Sequence, residues 1–88
     1  MRDEELIYLC AFRYVLGRRS YIVDVVTKFL RKANLSPLAK KLVIREINEA
    51  QKYHRLGDEI DAEKWLRLRD EFEEQLKQEV EDESTKIL

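Results

Sequence analysis

Two glycines and one proline in 88 residues are too few for the tight turns of a β-sheet protein. They stand at Gly17, Pro37 and Gly57, and between them apolar side chains recur at three- and four-residue spacing. The sequence therefore predicts an all-α protein, a compact bundle of about four helices joined by short connections. We expect one helical domain over residues 1–80 and a polar tail over residues 81–88 that frays.

The first predicted helix runs from Asp3 to Leu16 and ends at Gly17, where a left-handed residue would terminate it. It is apolar on nearly all sides, so we expect it to be central in the fold. The second predicted helix follows Ser20, a plausible N-cap, and ends near Asn34. Its apolar pairs recur four residues apart, which favours a helix over the strand that its β-branched residues would also suit.

The third predicted helix begins at the N-cap Ser36 and runs to Leu56. The fourth begins at Asp58 or Asp61, either of which can cap a helix. Because the loops between these segments are short, we expect consecutive helices to be antiparallel neighbours. The fourth helix carries a narrow apolar seam formed by Trp65, Leu68, Phe72, Leu76 and Val80.

No group of residues in the sequence is typical of a catalytic or metal site. Cys10 and His54 are the only cysteine and histidine and fall on separate predicted helices, so they do not form a nucleophile pair. One cysteine and one histidine are also too few for a structural zinc site. We therefore expect a protein that is not an enzyme and uses no cofactor or metal. Cys10 is interpreted as a small core residue, and His54 as flanking the end of the third helix.

A cytoplasmic protein fits the cysteine content and the N-terminus. One cysteine cannot form a disulfide within the chain, which suits a reducing compartment. No apolar run is long enough to cross a bilayer, and the N-terminal residues are acidic where a signal peptide would be basic. We therefore expect no membrane partner.

Charge is segregated along the chain. Residues 11–55 carry eleven basic and three acidic side chains, whereas residues 56–88 carry five basic and twelve acidic ones, within a net charge of −1. The basic part suits phosphates or an acidic protein, and the acidic part can cover it or recruit a basic partner. The candidate partner-binding residues are Arg13, Arg18, Arg19, Lys40, Lys41 and Arg45, with a candidate acidic face of Asp70, Glu73, Glu74 and Glu81.

Three kinds of partner are considered. The second and third segments have the look of a helix-turn-helix, in which Ser36, Lys40 and Lys41 would face the bases of a nucleic acid. The lack of net positive charge favours a host protein as the partner instead. The third alternative is a homo-oligomer formed through Trp65, Leu68, Phe72 and Leu76.

The stretch 12–21 places three arginines and two tyrosines around a helix break, and these residue types are enriched in binding hot spots. The spacing of Tyr14 and Tyr21 fits core faces, so we expect both rings to pack inside. Arg18 and Arg19 belong to the turn, where we expect them to be exposed.

This stretch, Arg13-Tyr14-Val15-Leu16-Gly17-Arg18-Arg19-Ser20-Tyr21, resembles a motif of small proteins encoded by phages and prophages. In those proteins Arg-Tyr-Ala-Leu-Gly-Arg, a variable residue, Thr or Ser, and Tyr precede a β-branched run; here Val15 stands where alanine is commoner. The stretches 56–58 and 61–68 are also similar. The resemblance implies a short accessory protein of a mobile element that binds and modulates a host protein, including as an inhibitor of a defence nuclease. That group has no established activity, so the resemblance assigns no role to a residue.

Overall fold

Four α-helices form almost the entire chain. The structure is a computed structural model that describes residues 3–18 and 20–87, with side chains for residues 3–18 and 22–78. No strand occurs in these ranges, and the prediction of an all-α bundle is confirmed. The helices are α1 (Asp3–Val15), α2 (Ser20–Lys32), α3 (Pro37–Lys52) and α4 (Glu59–Ile87). Residues 81–87 continue α4, and their side chains lie outside the described residues, so fraying of the predicted tail stays a prediction.

The helices form two hairpins, α1–α2 and α3–α4, that lie side by side with α1 next to α3 and α2 next to α4. Two ion pairs join α2 to α4, Asp24 with Lys64 at 3.1 Å and Arg31 with Glu71 at 2.6 Å. Both pairs join residues 40 positions apart, so α2 and α4 run parallel to each other.

The connection between α2 and α3 differs from the prediction. Only residues 33–36 separate the two helices, yet α2 and α3 do not pack against each other. The expectation that every short loop joins neighbours is therefore wrong at this point. Asn34 takes a left-handed conformation with φ of 50° and Leu35 is buried, which directs α3 across the bundle.

The α4 seam fills the centre of the bundle. Trp65 is fully buried, and its ring meets the Phe12 ring edge-on at a centroid distance of 5.3 Å. This contact joins α1 and α4, which lie on opposite sides of the core. Leu68 and Phe72 are also buried, and Leu76 is half-buried. Trp65, Leu68 and Phe72 are therefore unavailable to a second copy, which contradicts the predicted homo-oligomer through them. The Val80 side chain lies outside the described residues.

A carboxylate of α1 completes the N-terminal cap of α3. Ser36 is the N-cap, as predicted, and its Oγ accepts the backbone N–H of Ala39 at 3.3 Å. Glu5, only 1% exposed, accepts the Ser36 backbone N–H at 2.8 Å and its hydroxyl at 3.1 Å. A glutamate three residues after the cap usually takes this place, but Ala39 occupies that position here. Glu5 thus supplies, from another helix, the carboxylate acceptor that position 39 of α3 does not provide.

Helix α3 ends earlier than the sequence suggests. It stops at Lys52 rather than Leu56 because His54 adopts a left-handed conformation, with φ of 57°. The Arg55 N–H donates to the Ala50 carbonyl at 2.7 Å, which with the His54 N–H closes a Schellman motif. Histidine is one of the few non-glycine residues that enter this conformation with some frequency. The turn lets Leu56 fold back into the core, where it is 4% exposed.

The two hairpin turns pack against each other. Gly17 ends α1 with φ of 79°, as predicted, and a Cβ there would collide with the carbonyl oxygen of Arg55. At the start of α4, the side chain of Asp58 accepts the N–H of Asp61 at 2.9 Å, which confirms Asp58 as a cap. The Ser20 side chain, predicted to cap α2, lies outside the described residues.

We expect Glu5→Ala to lower the free energy of unfolding by about 2–3 kcal/mol, because it leaves the partly buried donors of Ser36 without their acceptor. For a domain of this size that corresponds to a fall in Tm of roughly 10 °C or more. Urea and thermal unfolding measure it. Glu4→Ala is the matched control, since Glu4 is the exposed neighbour in the same first turn. Equal losses in the two variants would show that Glu5 does not act as a cap.

We expect His54→Gly to raise the free energy of unfolding by about 0.5–1 kcal/mol, because glycine adopts the left-handed conformation without steric cost. His54→Ala keeps a Cβ at the same φ and should show no such gain. Thermal unfolding of both variants separates relief of backbone strain from loss of the imidazole. A gain shared by both variants would contradict the backbone explanation.

Candidate functional site

The six candidate basic residues do not form one surface. Arg13, Arg18, Lys41 and Arg45 are exposed, as expected for partner-binding residues. Lys40 is only 8% exposed, which corrects its prediction as a surface contact. The side chains of three further candidates lie outside the described residues. These are Arg19 and Glu81, expected at a partner surface, and Tyr21, expected to pack in the core.

The helix-turn-helix hypothesis is wrong for this chain. Such a motif packs two consecutive helices together and presents the N-terminus of the second one. Here the backbones of α2 and α3 do not approach each other, and the close neighbours of α3 are α1 and α4. Ser36 is hydrogen-bonded to Glu5 and Lys40 is buried one turn later, so neither side chain is free to read a base. Of the three expected contacts only Lys41 is exposed.

A cleft of about 350 Å³ opens between the C-terminal ends of α1 and α3. The guanidinium of Arg55 lies 5.6 Å from the Tyr53 ring centroid, and the ammonium of Lys52 lies at the same distance. Tyr53 itself is 58% exposed. The cleft is lined by Arg13, Leu16, Glu46, Glu49, Ala50, Tyr53 and Arg55.

Arginines elsewhere in the bundle are already engaged. Arg69 reaches from α4 to α3, donating to the side-chain oxygens of Asn48 at 2.9 Å and Gln51 at 3.1 Å. It also pairs with Asp70 at 3.0 Å. By contrast, within the described part of the chain neither Arg13 nor Arg55 forms an ion pair. The cleft therefore holds two guanidinium groups whose donors remain available.

The acidic face of α4 is partly neutralised. Asp70 is bound by Arg69, while Glu73 and Glu74 are exposed. Glu71, which follows Asp70 in the sequence, points toward α2 and pairs with Arg31. The charge segregation in the sequence thus cancels in part across the α2–α4 contact, each exposed pair contributing a modest amount.

Helix α1 is not central, which corrects the prediction from its composition. It buries Leu9, Phe12 and Val15, and its other side faces solvent. Cys10, predicted as a core residue, is exposed, and Tyr14, predicted to pack, is 69% exposed with Arg18 stacked on it at 4.7 Å. We name the solvent side the outer α1 face: Leu6, Ile7, Cys10, Ala11 and Tyr14.

Asp61 is a buried acid beside the central tryptophan. It is 6% exposed, and neither its Oδ1 nor the indole Nε1 of Trp65 has a hydrogen-bond partner among the described residues. Burial raises the pKa of Asp61 above its ordinary value of 3.8, and the carboxylate of Asp58 raises the pKa further, against the opposing effect of Lys64. Sequence patterning could not distinguish this acid from the other carboxylates of α4.

The described residues include no cluster of three or more His, Cys, Asp or Glu arranged to hold a metal ion. Among the described helices, none combines the length and the apolar character needed to cross a membrane. Cys10 lies on the outer face of α1 and His54 in the α3–α4 turn, so the structure assigns them to separate surfaces.

Comparison with known proteins identifies no relative: no protein-family model, curated protein or solved structure matches the chain. The resemblance to phage proteins therefore remains a prediction that depends on the motif alone.

We expect Asp61→Asn to be more stable than the wild type at neutral pH. The folded protein binds the Asp61 proton more tightly than the unfolded chain, so this group adds stability as the pH falls through its raised pKa, and that stability is lost as the pH rises. The variant should lack this dependence, and its advantage should vanish below pH about 4.

Urea unfolding at several pH values from about 3 to about 7 measures the effect. Asp70→Asn, at an exposed position of the same helix, is the control. Parallel pH profiles for Asp61→Asn and the wild type would contradict the expectation.

Proposed function

We propose that this chain is a non-enzymatic interaction protein that binds and modulates a host protein in the cytoplasm. Within this proposal it is a small accessory protein of the phage or prophage type, for which inhibition of a defence nuclease is one suitable activity. The motif around Gly17 supports the assignment to phage or prophage accessory proteins. The cleft between α1 and α3 supports the binding of a host protein.

The observation that carries the proposal is the cleft at Arg13, Tyr53 and Arg55. Arginine and tyrosine provide much of the binding energy in protein interfaces because they combine apolar area with directional donors. Tyr53 is more than half exposed and the cations of Lys52 and Arg55 lie over its ring, so the site presents aromatic and charged groups together. Arg13 is exposed across the cleft on α1.

The mixture of charges in the cleft favours a protein over a nucleic acid. Glu46 and Glu49 line the same cleft as Arg13 and Arg55 and would repel a phosphate backbone. A protein partner can present carboxylates to the arginines and a basic side chain to the glutamates. Such two-signed complementarity orients a partner and discriminates against others.

A nucleic-acid-binding regulator is the second candidate, supported by the outer face of α3. Three cations and one carboxylate line a shallow groove on that face, together with Ile44 and Asn48: Lys41, Arg45, Lys52 and Glu49. A row of cations at helical spacing can track a phosphate backbone. Binding of this kind weakens steeply as the salt concentration rises.

The test of a host-protein partner is retention from a host lysate on the immobilised chain, with the retained protein identified and then purified for titration. We expect Arg13→Glu/Arg55→Glu to weaken its binding about tenfold or more, since each reversal places a carboxylate against the partner's own. The control is Lys28→Glu/Lys32→Glu, two exposed cations on α2 that are remote from the cleft.

Unchanged binding by the cleft variant, or equal losses in both variants, would refute the cleft as the binding site. The nucleic-acid candidate is tested separately by the electrophoretic mobility shift of DNA or RNA at low salt. If it is right, the shift is lost with Lys41→Glu/Arg45→Glu and retained with Arg13→Glu/Arg55→Glu. Absence of any shift with DNA and with RNA would exclude it.

A further inference from the structure

Most of the outer α1 face has a residue pattern that is symmetric about the midpoint between Cys10 and Ala11; the exception is Leu6, whose counterpart Val15 is buried. Ile7 and Tyr14 are equally far in the sequence from the point midway between residues 10 and 11. Asp3 and Arg18 are likewise equally far from that point. The first pair is apolar and exposed, at 68% and 69%. The second pair has opposite charges. Two copies of such a face are complementary to each other when their helices run antiparallel.

The local structure places these groups on one side of the helix. Ile7, Cys10 and Tyr14 follow one another at three- and four-residue spacing, which aligns them along a single helical face. Arg18 lies beyond the helix end, but its guanidinium stacks on the Tyr14 ring at 4.7 Å, which holds the charge beside the same face. Asp3 begins the helix at the other end.

The centre of the face is built from small side chains. Cys10 and Ala11 are both exposed and flank the midpoint. Small residues let two helix backbones approach closely, because interaxial distance depends on the side chains at the crossing point. The larger Ile7 and Tyr14 then lie on either side of the crossing, where each can cover its counterpart.

We propose that two copies of this chain associate through the outer α1 face, with their α1 helices antiparallel about a two-fold axis between Cys10 and Ala11. Ile7 of each copy packs on Tyr14 of the other, and Arg18 of each copy faces Asp3 of the other. This arrangement satisfies the rule of a two-fold interface, in which every contact occurs twice with the roles exchanged.

A second copy fits this face better than an unrelated partner because the end charges are opposite and lie equally far from the midpoint in the sequence. Without a second copy, the exposure of this face would be unusual. A helix that is apolar on both sides is normally buried against other protein on both sides. A 13-residue helix is roughly 20 Å long, so the interface is small and its dissociation constant falls in the micromolar range or weaker.

The dimer leaves the α1–α3 cleft open. Arg13 and Leu16 lie on the side of α1 that meets α3, whereas the outer α1 face points away from the core. Each dimer therefore carries two clefts related by the two-fold axis. Dimerisation stands independently of the proposed function, but it would allow a partner with repeated epitopes to bind through both clefts.

Sedimentation equilibrium over a wide range of protein concentration tests the association. We expect a monomer–dimer equilibrium for the wild type and a loss of affinity of about tenfold or more in Ile7→Lys, which puts like charges into the apolar contact. The matched control is Ile60→Lys, because Ile60 is 63% exposed at the start of α4. It should dimerise like the wild type.

A charge exchange tests the antiparallel orientation. Asp3→Arg and Arg18→Asp should each weaken dimerisation, since each puts like charges opposite one another, and the double variant should restore it. This rescue also separates dimerisation from the effect of Asp3 on the N-terminus of its own helix. A double variant that dimerises no better than the single ones would overturn the antiparallel arrangement.

The single cysteine provides a further readout that needs no substitution. Cys10 lies next to the proposed axis, so a short bismaleimide should join two wild-type chains in proportion to the dimer population, and Ile7→Lys should reduce that yield. The proposal is overturned by a strict monomer at several hundred micromolar, by a dimer that only Ile60→Lys disrupts, or by cross-linking that is the same in Ile7→Lys and the wild type.

Discussion

The Glu5 carboxylate is the contact on which the arrangement of the two hairpins depends. It accepts both the backbone N–H and the hydroxyl of Ser36, so the first turn of α1 is tied to the first turn of α3. The negative charge also lies at the positive end of the α3 dipole. With α3 held beside α1, α4 returns beside α2, and the ion pairs of Asp24 and Arg31 with α4 follow. The left-handed Asn34 and the buried Leu35 of the connecting loop act together with this contact to separate α2 from α3.

The sequence predicted the helices better than their arrangement because helix signals are local. Gly17, Ser36 and Asp58 act at the helix ends where they were expected, and the α4 seam is apolar because it is buried. The end of α3 was misplaced since the left-handed turn is made by His54, which gives no sequence signal as strong as glycine. The role of Glu5 depends on a residue 31 positions away, and no periodicity reports such a contact.

The candidate site was predicted only in part, for a related reason. Composition showed which residues were basic, but it could not show which charges the fold would use. Arg31 and Arg69 hold α4 in place, and Lys40 is buried. Arg13 remains available because α1 and α3 end together and leave a cleft around it. The proposed partner surface is therefore smaller than the segregation of charge along the sequence suggested, and it contains both signs.

The apolar residues of α1 show why a helix that is hydrophobic on all sides need not be central. In a bundle of four helices each helix turns one side toward the core. The core-facing side of α1 is formed by Leu9, Phe12 and Val15. Ile7 and Tyr14 stay more than two-thirds exposed in a single chain, and exposed apolar area of this kind costs solubility. Burial against a second molecule removes that cost. Since the charges at the two ends of the face are opposite, a second copy meets the requirement without any further residue, and the arginine–tyrosine cleft is left for a different partner.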